Sequence, residues 1–198
     1  MEQEVYRQFF ELERENWWFA GMRSIYHRQI KKLGMSAVSQ RVLDVGCGTG
    51  IWTQQLSRLG ITVGIDYSKE ALAFCRTREL SNLLRASACE IPFHSNAFSL
   101  VTAFGVIEHI DEDQKMLSEL FRVCRPGGYV FLLTSAYRFL WSYHDDFVHH
   151  KRRYLRSELL SKVRNAGFET YKISYVNSIL FPGIAGVRVF QRIKYFRP

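Results

Sequence analysis

The chain has 198 residues, 47% of them hydrophobic, and a formal net charge of +8. That length supports one good core and is too short for two comfortable domains. Cys47, Cys75, Cys89 and Cys124 have no C-x-x-C spacing, which points away from disulfides and zinc and toward buried thiols in a reducing compartment.

Residues from about 2 to 16 and 22 to 34 have helical periodicity and flank the aromatic run Trp17-Trp18-Phe19. Met1 to Glu15 is charged throughout, so no secretory signal is expected, and no apolar stretch is long enough to span a bilayer. The protein is expected in the cytoplasm or at the periphery of a membrane. An apolar run at 41–45 then leads into Gly46, Gly48 and Gly50, and a helical pattern follows at 50–59. Glycines in such a turn let a ligand lie directly against backbone N–H groups. A second apolar run at 61–65 ends in Asp66, where an acidic group can hold a ribose by its two hydroxyls.

These features suit an adenosine-containing cofactor. A dinucleotide fingerprint would need glycine at position 51, where Ile51 stands, and no Lys-Ser/Thr pair follows as a P-loop requires. The loop better suits the aminocarboxypropyl arm of a sulfonium nucleoside.

Further along, strands are expected near 82–85, 98–104, 127–134 and 168–176, with helices near 69–79, 112–124 and 156–166. Such alternation means a parallel sheet covered on both faces, with its ligand at the carboxyl edge where strand order reverses beside the first strand. His109 follows the fourth strand, either as a proton acceptor or as a ring that orients the loop. After the fifth strand, Trp141 to Tyr154 concentrates imidazoles, carboxylates, aromatics and cations, more chemistry than a connector needs. His144, His149, His150, Arg152, Arg153 and Tyr154 are acceptor-site candidates, and their spacing fits no standard zinc pattern. Residues 145–198 hold 11 Lys/Arg against 4 Asp/Glu. This is either a solvated face or a surface for an anionic partner: a membrane, a phosphorylated or lipid-linked substrate, or RNA. The stretch 183–197 alternates apolar and basic residues, so it could pack as a terminal helix or lie on a membrane.

The glycine segment Val42 to Gly50, the loop Ala88-Cys89-Glu90-Ile91-Pro92-Phe93 with the strand after it, Phe104-Gly105-Val106-Ile107-Glu108-His109-Ile110, and Leu120 to Phe131 with its Pro126-Gly127-Gly128 stop together resemble the class I S-adenosylmethionine-dependent methyltransferases over roughly residues 40 to 175. The resemblance implies an α/β, Rossmann-like, doubly wound fold: a mainly parallel sheet of six to seven strands with helices on both faces. One domain, 1–198, would comprise an N-terminal helical cap (1–36), a cofactor-binding core (37–176) and a basic amphipathic C-terminal segment (177–198). The family's seventh, antiparallel strand is not found, so either the sheet has six strands or this chain ends before its last element.

The same resemblance implies S-adenosyl-L-methionine as cofactor and assigns roles by position. Gly46, Cys47 and Gly48 would supply backbone contacts to the methionine arm, with Asp44 facing its ammonium. Asp66 would take the ribose, and Tyr67 would cover one adenine face or simply pack. Ser87, where the family usually has Asp, and the Cys89 amide would meet the adenine edge, and Gly105 and Val106 would lie under the arm. Arg23 is the candidate for the cofactor's carboxylate, although the aromatic run before it could be an ordinary docking cluster. Catalytic candidates are His109, His149 and His150. The expected partner is a small acceptor, anionic or lipid- or glycan-linked, methylated on O or N, with membrane contact through the basic segment. A cofactor-binding module without catalysis is the alternative. An RNA methyltransferase ranks behind both, since no RNA-binding appendage and no Asn/Asp-Pro-Pro-Tyr/Phe motif is found.

Overall fold

The computed structural model describes residues 3–34 and 40–195. Two helices, α1 (Gln3–Glu15) and α2 (Trp17–Lys31), precede the sheet. The aromatic run opens α2 rather than linking two helices: the Asn16 side chain caps it by accepting the Trp18 N–H at 2.9 Å.

Five strands follow: β1 (Gln40–Val45), β2 (Gly60–Asp66), β3 (Leu83–Arg85), β4 (Phe98–Phe104) and β5 (Cys124–Leu133). All pair in parallel in the order β3-β2-β1-β4-β5. The direction of winding therefore reverses between β1 and β4, and the ends of these two strands mark the crevice of a doubly wound sheet. The helices between them are α3 (Ile51–Leu56), α4 (Lys69–Thr77) and α5 (Asp113–Val123), followed by α6 (Tyr143–Phe147), α7 (Arg156–Asn165) and α8 (Phe181–Tyr195).

Because strand side chains alternate, β1 feeds two cores. Leu43 and Val45 join Ile65, Val101 and Ala103 against Met116, Leu117 and Leu120 of α5. On the opposite face Val42 and Leu100 pack with Ile30 of α2 and Leu56 of α3. Near-continuous apolar burial is what a parallel sheet covered on both sides demands. Early in β5 the strand is interrupted at Pro126-Gly127-Gly128, where the register with β4 shifts between Phe98 and Leu100. A Cβ on Gly128 would lie 2.9 Å from the backbone oxygens of Ser99 and Arg125, so only glycine fits that irregularity.

The sheet is smaller than the six to seven strands expected. Residues 168–176 are irregular, and among the described residues no backbone ladder joins them to β5. Tyr171 only approaches Tyr129 edge-on at 6.2 Å. The outer edge of β5 is left without a strand among the described residues, because alternating side chains alone do not seat a segment on an open edge.

Two buried polar devices tie the layers together. Glu13 of α1 accepts a hydrogen bond from the Thr49 hydroxyl in the glycine loop and from the Arg78 guanidinium at 2.5 Å. Arg78 also donates to the Thr49 carbonyl at 2.8 Å and lies over the Phe10 ring. Asp44, 1% exposed, accepts from Thr53 of α3 and Thr102 of β4, both at 2.7 Å. Burial pushes its carboxyl from 3.8 up to about 6, against the lowering effect of the two hydroxyls.

Removing one member of a buried ion pair strands the other. Arg78→Ala should therefore cost about 3 kcal/mol in urea denaturation, and adding Glu13→Gln should recover part of it; a double variant no more stable than the single would contradict the pairing. For Asp44 the folded value lies above the unfolded one. Its contribution to stability is full below about pH 4 and is lost as pH rises through about 6, a change of about 3 kcal/mol. Thermal unfolding across that window should show the wild type losing ground to Asp44→Asn as pH rises, whereas a pH-independent gap would rule the assignment out.

Candidate active site

β1 ends in a turn that no ordinary residue could follow. Gly46 has φ +66° and Gly48 φ +56°, conformations open chiefly to glycine. A Cβ on Gly46 would lie 2.5 Å from Val106 Cγ2, whereas nothing stands within 4 Å of the place a Gly48 Cβ would take. The first glycine lets the strand-four lip close on the turn, and the second leaves a bare cradle facing the cleft. Asp66, at the end of β2, braces that cradle: Oδ2 accepts the Gly48 N–H and Oδ1 the Ser68 N–H, each at 2.9 Å. Burial raises its carboxyl, and these backbone donors oppose the rise.

A continuous cleft of about 2410 Å³ takes in the carboxyl edge of the strands and runs on along the outer side of β5 past Tyr129 to Arg125. Gly46, Gly48, Asp66, Tyr67, Ser87, Gly105, Val106, Arg23 and His109 line one continuous space, as expected for a site assembled at the switch point. Tyr67 is 72% exposed, with Arg85 5.4 Å over its ring. Arg23 lines the cleft while its guanidinium donates to the carbonyls of Glu13 and Arg14 at the end of α1. Beyond the cradle the wall is aromatic: Tyr26 stacks on Phe104 at 5.5 Å, with Trp52 and Phe131 beside them.

Several expected contacts are placed elsewhere. Asp44 is turned into the sheet between its two threonines and does not line the cleft, so it braces β1 rather than facing an ammonium. The Cys47 side chain is buried against Cys75, Sγ to Sγ 3.8 Å, and its N–H donates to the Ile65 carbonyl. The Cys89 N–H donates to Ser87 Oγ at 3.1 Å, so both groups meant for the adenine edge also satisfy one another. Arg152 and Tyr154 belong to a different network. Tyr154, 2% exposed, donates its hydroxyl to Asp113 at 2.8 Å; Arg152 and Lys162 bind the same carboxylate at 3.0 and 2.9 Å. These groups staple the loop to α5. Two cations and one hydroxyl outweigh the cost of burial, and the Asp113 carboxyl is lowered.

The histidines divide. His149 is exposed, outside the cleft, at φ +59°; its carbonyl accepts from His109 Nδ1 at 3.3 Å. His109, His144 and His150 line the cleft, with ring centroids 4.8 Å apart for His109–His150 and 6.4 Å for His144–His150. Burial, reinforced by His150, lowers His109 to about 4 and also lowers His144. Behind them stands Glu108, whose carboxylate accepts from the Thr134 hydroxyl and from the Ser135 N–H and hydroxyl at 3.0 to 3.2 Å. Arg153, which also lines the cleft, forks onto Asp145 at 2.7 and 2.9 Å.

Glu13, Arg78, Glu108 and Asp145 are the supports that sequence reasoning passed over. Only Asp145 carried a local signal: the Ser142 to Asp145 capping box of α6.

A family profile described as a methyltransferase domain matches residues 43–132, the stretch from β1 to β5 that builds this crevice. A Mycolicibacterium smegmatis protein named as a probable S-adenosylmethionine-dependent methyltransferase is 32% identical over 163 residues, covering 80% of this chain and 62% of that protein. The ubiquinone biosynthesis O-methyltransferase of Pectobacterium atrosepticum is 30% identical, covering 63% of this chain and 58% of its own. The chain thus spans about three fifths of these curated relatives. Among solved structures, a Haemonchus contortus phosphoethanolamine N-methyltransferase 2 superposes with TM-score 0.74 at 20% identity, over 99% of this chain and 49% of that one; at that identity it speaks for the fold. With the bare turn, the Asp66 carboxylate at the end of β2 and the matched core in agreement, the chain carries a class I S-adenosylmethionine-dependent methyltransferase domain.

Proposed function

We propose that this protein transfers a methyl group from S-adenosylmethionine to an oxygen or nitrogen of a small acceptor, held between the glycine cradle and the histidines of the strand-four lip. The observation that carries the reading is their meeting in one cleft. Gly46, Gly48 and Asp66 line the same space as His109 and His150. When bound, the cofactor supplies a methyl group already activated on a sulfonium.

The chain's own work is then alignment and exclusion of water. Gly46 and Gly48 offer bare backbone to the methionine arm. Asp66 retains lone pairs for the ribose hydroxyls beyond those its two N–H donors occupy. Tyr67 and Ser87 face the adenine, and Arg23, with five N–H donors, is the cation for the carboxylate. A neutral His109 suits a site that must hold a sulfonium, because a charged imidazole there would repel it.

The aromatic wall of Tyr26, Phe104 and Phe131 supports an acceptor with an apolar body, consistent with a relative named for ubiquinone biosynthesis. A lipid-linked or anionic acceptor finds further support in the exposed Ile179, Val187 and Phe190 beside the basic C-terminal sequence. Among the described residues no helix is long and apolar enough to cross a membrane, so any such contact would be peripheral.

Calorimetric titration with S-adenosylmethionine tests the cofactor half of this reading. Asp66→Ala should weaken binding by about 1–3 kcal/mol, roughly 5- to 150-fold. Equal affinity in wild type and variant would sink the ribose assignment. Binding without transfer of labelled methyl to any cell-extract fraction would instead make the chain a cofactor-binding module.

A further inference from the structure

Of the three imidazoles in the cleft, only one has a buried carboxylate holding its ring. His150 Nδ1 donates to Asp145 Oδ1 at 2.8 Å, and the His150 backbone N–H donates to the Asp145 carbonyl at 2.8 Å. Asp145 is 0% exposed and is itself fixed by the Arg153 fork and by the Ser142 N–H at 2.8 Å. A carboxylate accepts but does not donate, so the ring carries a proton on Nδ1, and in the neutral ring the lone pair falls on Nε2. That Nε2 lies 4.0 Å from Glu108 Oε1, and the next residue, Lys151, ties its N–H to the Glu108 carbonyl at 2.8 Å. The ring is held from both sides.

Resting on the methyl-transfer reading above, the geometry points to Asp145–His150 as a proton-accepting dyad for an acidic hydroxyl acceptor of the phenol or enol class. Asp145 is the positioning residue and His150 Nε2 takes the proton. In the step, the acceptor O–H proton passes to Nε2, the new O–CH₃ bond forms, and the S–CH₃ bond breaks with its electron pair returning to sulfur. The product sulfide is neutral, and the imidazolium later releases its proton to water. An aliphatic alcohol is too weakly acidic to yield its proton to an imidazole, whereas a phenol is matched to one.

His109 is a poorer base, since its Nδ1 has only the His149 carbonyl at 3.3 Å and burial holds it near 4. Burial alone would raise Asp145, but Arg153 and His150 overcome it and bring the carboxyl to about 2, so it stays an acceptor throughout the working range. The charged and titratable groups around His150 are Asp145 and Arg153, Glu108 and His109 on the strand-four lip, and His144 on α6, which Arg188 of α8 also influences.

The test uses the full chain with S-adenosylmethionine bound. Nitrogen-15 imidazole spectra should report His150 as the Nδ1–H tautomer in the wild type, and Asp145→Asn should abolish that preference. Transfer of labelled methyl to phenols of graded acidity should fall about 10²- to 10⁴-fold in His150→Gln. The acid limb of the wild-type kcat profile should vanish in that variant, while cofactor affinity stays within about twofold, since nothing it touches binds the nucleoside. In Asp145→Asn the loss should shrink as the phenol becomes more acidic, a trend that mere loosening of the loop would not produce. An Nε2–H tautomer, an unaltered rate in His150→Gln, or a wild type that binds cofactor yet methylates no phenol would each overturn the dyad. Failure of the wild type to bind S-adenosylmethionine would overturn the methyl-transfer reading instead.

Discussion

The absence of one side chain, at Gly46, sets the geometry of everything above the sheet. The strand leaves β1 with a positive φ, and Val106 from the lip of β4 moves into the space that a Cβ would need. Only this approach lets the two strands on either side of the winding reversal share a floor, with Gly48 left uncovered beside it. Asp66 then converts a flexible glycine loop into a fixed one by accepting the Gly48 N–H. Packing the turn against β4, and bracing it from β2, makes the crevice a property of the sheet and not of the loop alone.

Around that floor the structure repeats one device: a buried carboxylate tying separate segments together. Glu13 joins α1 to the glycine loop and α4 through Thr49 and Arg78. Asp44 spans α3 and β4, Asp113 gathers Arg152, Tyr154 and Lys162, and Asp145 binds His150 and Arg153. Each satisfies its lone pairs inside the protein, as buried charges must. Of these four, Asp44, Asp113 and Asp145 stand outside the lining of the cleft, whose walls carry aromatic rings, bare glycines and imidazoles beside Arg23, Asp66, Glu108 and Arg153.

This division explains what could be read from the sequence. The alternation of strands and helices and the place of the glycine turn were legible because each depends on spacing within a few residues. The roles of Asp44, Arg152 and Tyr154 were not, because their partners lie 9 to 58 residues away in the sequence. A carboxylate beside a glycine turn looks identical whether it faces a ligand or two threonines. The strand expected at 168–176 failed for a related reason: its alternation is visible in the sequence, but tertiary packing decides whether the segment seats on the open edge of β5. In the histidine loop, composition could not say which ring turns inward. His150 follows Asp145 by five residues and closes back on it through α6, whereas the adjacent His149 faces away.

His149 carries a left-handed backbone with its ring in solvent. What the position contributes is a bend that aims its neighbour inward and turns a carbonyl toward His109. Glycine and asparagine accept such a bend readily, while β-branched residues resist it. Mutational tolerance there should follow Ramachandran preference rather than imidazole chemistry: swaps that erase the ring but keep the bend are mild, and isoleucine or valine are the harsh ones.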